Sequence, residues 1–284
     1  MKEKVLLAGA TGYLGRYIAT TLLHESYPTK IIVRNHQNCF SENSSIEKVK
    51  AEVTQVESLQ GIMKDVDVVI STVGITRQKE GFTYMDVDYR GNLNLLEEAK
   101  KAGVKKFIYV SALHADKLKH LKMCNAKERF VDELKQSGMD YCIVRPNGFF
   151  RDMTEFLKMA RKGKVELFGK GNFKMNPIHG EDLAKVCVSS LNFNDKEIEI
   201  GGPEVLSHKE IAELAFETLN KETKISYMPE WLRKVILWFS RTFTSAKSYG
   251  PLEFFFTVLA MDMIAPKYGT KTLSQYFKKT AEQY

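Results

Sequence analysis

The sequence predicts an α/β protein: a Rossmann-type, doubly wound parallel sheet with a small carboxyl-terminal substrate lobe. Two observations carry that expectation. Over residues 5–15 (VLLAGATGYLG) an apolar run is broken by Gly9, Gly12 and Gly15, and helical apolar spacing follows over 14–23. Beyond it, short apolar runs alternate with helix-length amphipathic segments as far as residue 150, the pattern of repeated βαβ units.

Residues 5–8 read as a buried parallel strand. Gly9 permits the tight turn after it, Gly12 lets main-chain N–H groups approach a pyrophosphate, and Gly15 lets the helix lie close on the strand. The helix N-terminus adds N–H donors and a positive dipole end. Gly9, Thr11, Gly12, Tyr13, Leu14 and Gly15 are therefore the expected dinucleotide contacts; the competing reading is an ordinary tight βα turn. Residues 30–33 (KIIV) form the second strand. A NAD site usually places Asp or Glu here for the ribose 2′-OH, but Arg34 and Asn35 stand at this point. A guanidinium suits a 2′-phosphate, so NADP(H) is favoured over NAD(H). The alternative is that Arg34 is a surface residue at a strand end.

A third strand is expected over 49–53 and a short helix over 58–64. Residues 66–71 (VDVVIS) read as a central strand, apolar on both faces. It brings Thr72, Val73 and Gly74 to its carboxyl end, beside the expected crevice. A helix over 88–102 stops at Gly103. The strand at 107–110 delivers Ser111, a long helix is expected over 117–136, and the strand at 141–144 leaves the sheet through Arg145. Pro146, Asn147 and Gly148 should then pass close to the nicotinamide ring by position. Residues 1–150 thus form the dinucleotide-binding domain. Residues 151–284 form a smaller α+β substrate lobe, with a strand at 165–168, a helix over 181–191, a strand at 197–200 and a helix opened by a Ser207–Glu210 capping box.

A chain of 284 residues, 44% hydrophobic and 27% charged, has the make-up of a soluble globular protein with a full core. The net charge of +7 suits an anionic ligand or surface. The lysines are scattered without interleaved aromatics, which argues against nucleic acid. Cys39, Cys124, Cys142 and Cys187 lack metal-ligand spacing, so no metal site is expected and reduced thiols are the default. No apolar signal region precedes the first strand, which points to a cytoplasmic location. Near the other end, residues 231–239 (WLRKVILWF) place Trp231, Leu232, Val235, Ile236 and Phe239 on one stripe, with Arg233, Lys234 and Arg241 around it. A second apolar run covers 251–265. Neither reaches the roughly 20 residues needed to span a bilayer. Either these stripes cap a substrate cavity and complete the core, or 231–265 lies peripherally on the inner face of a membrane.

GATGYLG, VDYRGNLNLLEEAKKAGVKKFIYVSA, RPNGFF, NPIHGEDLA and GGPEVLSHKEIAELA together resemble the short-chain dehydrogenase/reductase superfamily, in its extended or atypical branch. The NmrA-like proteins share that neighbourhood, and the tail at 268–277 (YGTKTLSQYF) resembles the end of divinyl chlorophyllide vinyl reductases. The resemblance implies hydride chemistry by a strand-five serine and a Tyr-x-x-x-Lys pair. The lysine lowers the tyrosine pKa, and the phenol exchanges a proton with a carbonyl or alcohol. Ser111 matches the serine. Lys127 matches the lysine, which in the family also hydrogen-bonds the nicotinamide ribose. Four residues before it stands Met123, whose thioether cannot carry that proton.

Three readings follow. One is a reductase that passes hydride from NADPH to an apolar organic substrate, such as an activated C=C bond, with the proton from another group or water. The second is an NADP(H)-binding regulator or assembly factor of NmrA-like type, without turnover. In the third, a displaced Tyr84, Tyr89 or Tyr109 replaces the missing phenol. Glu52 is a further candidate, for the adenine amino group. His114, His120 and His179 are nominal proton donors, with His179, ahead of a helix, expected as a structural hydrogen-bonder.

Overall fold

Apolar runs too short for helices pair side by side, and the amphipathic segments between them cover both faces of the resulting sheet. The computed structural model describes residues 2–34, 40, 46–76, 78, 81–243 and 246–282, so Asn35 and Cys39 lie outside the described residues. In chain order the elements begin β1 (Val5–Ala8), α1 (Tyr13–His24), β2 (Thr29–Val33), β3 (Ile46–Lys50), β4 (Val68–Ser71), α2 (Asn92–Ala102), β5 (Lys106–Val110), α3 (Lys122–Gln136) and β6 (Asp140–Pro146). They continue with α4 (Phe150–Arg161), β7 (Val165–Phe168), β8 (Lys174–Met175), α5 (Gly180–Ser189), β9 (Glu197–Ile200), β10 (Leu206–Ser207) and α6 (His208–Thr218). The last are β11 (Ile225–Met228), α7 (Glu230–Phe243), α8 (Ala246–Val258) and α9 (Leu273–Glu282).

Seven strands form one parallel sheet in the order β3-β2-β1-β4-β5-β6-β9. Val5 pairs with Thr29 on one side and Val68 on the other, Val68 with Lys106, and Lys106 with Asp140. The order reverses between β1 and β4, which makes their carboxyl ends the switch point where ligands bind in such sheets. Every residue of β1, β2, β4 and β5 is buried, as strands covered on both faces must be. Leu6, Val69, Phe107, Phe130 and Ile143 lie in the core between the sheet and α2 and α3.

The chain forms two compact units, Met1–Arg145 with Leu183–Ile198, and Pro146–Asp182 with Glu199–Tyr284. The boundary expected at residue 150 falls at 145, and a later segment returns to the first unit. Lys106, at the start of β5, shows why: its ammonium donates to Leu191 O at 3.3 Å and Phe193 O at 2.5 Å, and Ile143 N–H donates to Lys196 O at 2.8 Å. This seventh strand lies far along the sequence from the alternation that announces the others.

Three expected elements move. The third strand is Ile46–Lys50, not 49–53; it is the outermost strand, only part-buried, so apolar content does not mark its register. Val53 instead lies in the core against Gly91. The helix expected over 58–64 is a single tight turn at Val56–Leu59. The helix expected from 117 begins at Lys122. His114, with φ of 55°, is left-handed, and the tight turns after it place Leu118 and Leu121 inward as a helix would. Ahead of α2, a wider π-type turn covers Met85–Gly91, and α2 closes at Gly103 with φ of +72°, as expected of a C′ glycine.

In the second unit β7 pairs with β11 in parallel and β8 with β10 antiparallel. The capping box of α6 is present: Glu210 N–H donates to Ser207 Oγ at 3.2 Å and Ser207 N–H to Glu210 Oε2 at 2.7 Å. Phe150, Phe156, Phe216 and Phe277 form its core. The carboxylate of Asp182 accepts the N–H groups of Thr270 and Lys271, both at 3.1 Å, and so fastens the tail.

Candidate dinucleotide site

The turn after β1 is built from contacts that only glycine allows. Gly9 has φ of +84°, and a Cβ there would lie 2.5 Å from Thr72 Oγ1. A Cβ on Gly15 would lie 2.1 Å from the carbonyl oxygen of Gly9, so α1 rests directly on the turn. Gly12 N–H donates to that same carbonyl at 3.0 Å. The end of β4 is drawn in as well: Thr72 donates from N–H to Ala8 O at 3.0 Å and from Oγ1 at 3.2 Å. Helix α1 opens at Gly12 with no side chain capping it and no acid in its first turn. Its leading N–H groups and dipole therefore suit an anion. Leu14 is buried, so what it can offer a ligand is its N–H rather than its side chain. Arg16, exposed, donates from Nε to Thr11 O at 3.2 Å and sets a cation beside the turn. The glycine pattern gave no hint of that arginine. A cradle of main-chain donors with a cation at its rim fits the diphosphate of a dinucleotide.

At the end of β2, Arg34 is exposed, and its Nε lies 3.9 Å from Glu52 Oε2. Glu52 thus sits as a counter-charge to Arg34. Changing Arg34 to Asp would set two carboxylates together where a 2′-phosphate is expected. NADPH binding should weaken by roughly 10- to 100-fold, the worth of one charge-assisted contact, with little change for NADH. Parallel fluorescence titrations with the two cofactors measure this, and equal losses would remove the NADP(H) preference.

Past β4, Ser71 Oγ donates to Asn92 Oδ1 at 2.5 Å, and Asn92 Nδ2 donates to Val73 O at 3.2 Å. This fixes the path of Val73 and Gly74. Lys127 reaches the same place from α3: its Nζ lies 3.0 Å from Oδ1 of the fully buried Asp88. The other carboxylate oxygen accepts Ile75 N–H at 3.1 Å. A Cβ on Gly74 would lie 3.0 Å from the Lys127 Nζ, so main chain and ammonium are in contact. Burial opposes the Lys127 charge, but the Asp88 carboxylate outweighs it and holds the pKa above the ordinary lysine value. Lys127 is therefore a fixed ammonium at the carboxyl end of β4. Asp88 was not singled out in the sequence, where it reads as one more charge at a helix start.

Met123 lies one turn before Lys127 and is buried. The three candidate tyrosines are each engaged by a neighbour or buried. Tyr84 donates to Thr76 O at 3.1 Å, and burial pushes its pKa up to about 12. Tyr89 donates to Glu133 at 3.0 Å. Tyr109 lies closest to the ammonium, its ring centroid 5.6 Å from Lys127 Nζ, but it is wholly buried against Phe130, and burial raises its pKa to about 12 as well.

Ser111 is the start of a buried polar chain. Its Oγ donates to Glu128 Oε1 at 3.0 Å. Arg145 grips both Glu128 oxygens, at 2.6 and 3.0 Å, and donates from Nε to Glu197 at 2.9 Å. A serine hydroxyl has one proton. While it points at Glu128, Ser111 has none to offer a substrate carbonyl.

Pro146, Asn147 and Gly148 belong to the second unit. Asn147 is buried, and its amide donates to Asn176 Oδ1 at 2.8 Å and Met263 O at 2.6 Å, while its Oδ1 accepts Gly148 N–H at 2.8 Å. Both side-chain donors are thus committed to holding the unit together. His179 Nδ1 accepts Glu181 N–H at 3.2 Å, the structural role expected ahead of a helix.

A parallel sheet with a glycine cradle and an uncapped helix N-terminus at its switch point defines a dinucleotide-binding protein of the Rossmann class. A family model described as NAD(P)H-binding matches residues 9–194, and the chain belongs to that family. It is 27% identical over 319 residues to a chloroplastic divinyl chlorophyllide a 8-vinyl-reductase of Oryza sativa subsp. indica, covering 98% of this chain and 78% of that one. It is 28% identical over 230 residues to the photosystem II assembly factor Ycf39 of Guillardia theta, covering 79% and 73%. Among solved structures, an NADPH-dependent quinone oxidoreductase from Escherichia coli, complexed with NADPH, superposes with a TM-score of 0.72 at 18% identity, covering 98% and 99%.

Proposed function

We propose that this protein is an NADPH-dependent reductase that passes hydride to an activated carbon–carbon double bond of an apolar substrate. The observation behind this is a site that keeps the cofactor contacts and lacks the proton donors of carbonyl chemistry. Met123 replaces the phenol, and the Ser111 proton is directed at Glu128. Bound NADPH supplies the hydride. The turn at Gly9, Gly12 and Gly15 holds its diphosphate through amides, Arg34 takes the 2′-phosphate, and the Lys127 ammonium, fixed by Asp88, hydrogen-bonds the nicotinamide ribose. In a conjugated C=C bond hydride adds to one carbon and a proton from water to the other, so no phenol is required. The name of the rice relative, a vinyl reductase, supports this class of substrate.

Similarity to an assembly factor favours a second reading, NADP(H) binding without turnover. The test is NADPH binding by fluorescence, followed by NADPH oxidation with conjugated enones and with matched saturated ketones and aldehydes. Oxidation with enones and not with ketones is expected. Oxidation by the ketones would overturn the double-bond assignment, and binding with no oxidation by any of them would favour the second reading.

A further inference from the structure

We propose that α7 is a docking helix that lies in the headgroup layer of an anionic phospholipid bilayer. The stripe read either as a cap that completes the core or as a membrane-facing surface is divided by the structure. Leu237 is buried and Leu232 and Ile236 are half-buried. Trp231, Val235, Trp238 and Phe239 face outward, with 63%, 37%, 59% and 51% of their surfaces exposed. At helical spacing these four fall on one side, one above the other. The Trp238 and Phe239 rings meet edge to face at 5.0 Å.

The rotation of the helix that presents this face is fixed. Arg241 Nε donates to Glu253 Oε1 of α8 at 2.8 Å, and Arg233 Nη1 donates to Phe256 O at 3.3 Å. Glu253 is only 5% exposed, so α7 cannot roll its aromatic side inward without leaving a buried carboxylate unpaired. The outward face is a large aromatic surface held in water, which marks an interaction site rather than a stray exposed side chain.

Chemistry selects the occupant. Indole rings, apolar in body with one N–H donor, partition to the membrane–water boundary. Lys234, exposed, follows Trp231 round the helix on the same edge as Trp238, while Arg241 is engaged by Glu253. A cation beside an aromatic face matches anionic headgroups, and the chain carries +7 overall. Among the described residues no helix is long and apolar enough to cross a membrane. A 14-residue amphipathic helix of this kind lies along the surface.

The chain has two tryptophans and both are on this face, so intrinsic fluorescence reads the contact directly. The full chain, without NADPH, is mixed with phosphatidylcholine vesicles containing phosphatidylglycerol, and with phosphatidylcholine vesicles alone. With the anionic vesicles the emission should move to shorter wavelength, brominated acyl chains should quench it, and the protein should float with the lipid. High salt or neutral lipid should weaken all three. In flotation, Lys234→Gln should bind about fivefold more weakly. Trp231→Ser with Trp238→Ser should bind about tenfold more weakly or worse. Neither variant touches the dinucleotide cradle, and an unchanged circular dichroism spectrum and thermal midpoint show that each is folded. Absence of a shift and of flotation at low salt overturns the proposal. So does a shift that grows with protein concentration in the absence of lipid, which would give the face to a second copy of this chain.

Discussion

Gly15→Ala should remove dinucleotide binding while leaving most of the protein folded. The added Cβ would sit 2.1 Å from Gly9 O and 2.8 Å from both Gly9 C and Ala10 Cα, all main-chain atoms that cannot turn aside. Helix α1 must move off the turn, and its leading amides move with it, away from the diphosphate. Losing two charge-assisted main-chain bonds, about 1.5–3 kcal/mol each, weakens binding by roughly a hundredfold or more. The overpacking itself costs about 1–3 kcal/mol of stability. Gly12→Ala is the comparison for stability, since its Cβ would lie 3.2 Å from Gly9 O, a contact that small shifts relieve; its fold should hold while the added methyl crowds the approach of the diphosphate. NADPH titration and thermal unfolding of both variants separate the two effects. Wild-type affinity in Gly15→Ala would mean that the cradle does not hold the cofactor.

The features legible in the sequence were those set by local chemistry. The glycine cradle, the central strands, the stop at Gly103 and the Ser207 cap each follow from residues adjacent in the chain. The edges were harder. β3 is an outer strand with little apolar content, and β9 begins 51 residues beyond the end of β6, so no local pattern announces its place. At the site, Met123 was informative because the sequence names what is missing. What stands in contact was hidden. Asp88 and Glu128 look like solvated helical carboxylates, since spacing does not reveal that a charge on one element is buried against a partner on another. Lys127 finds Asp88, and Arg145 finds Glu128, only once strands distant in the chain lie side by side. The outward face of α7 was likewise undecided, because an apolar stripe does not say which way it points.

Arg145→Met should destabilise the first unit severely. Arg145 and Glu128 are 3% and 2% exposed, and the guanidinium supplies two of the three hydrogen bonds that Glu128 accepts, the third coming from Ser111. Without it a carboxylate stays in the core with one hydroxyl for company. Breaking a buried pair from one side in this way costs about 3–5 kcal/mol. The bond to Glu197 matters less, because that carboxylate is 37% exposed and also pairs with Lys135. Adding Glu128→Gln to Arg145→Met removes the orphaned charge, so the double variant should recover part of the loss. Urea unfolding of the two single variants and the double one measures the coupling, and only a shared buried pair gives recovery. Additive losses, or a cost below about 1 kcal/mol for Arg145→Met alone, would mean that solvent reaches the pair. Ser111 would then not be held toward Glu128, and its proton would be available to a substrate.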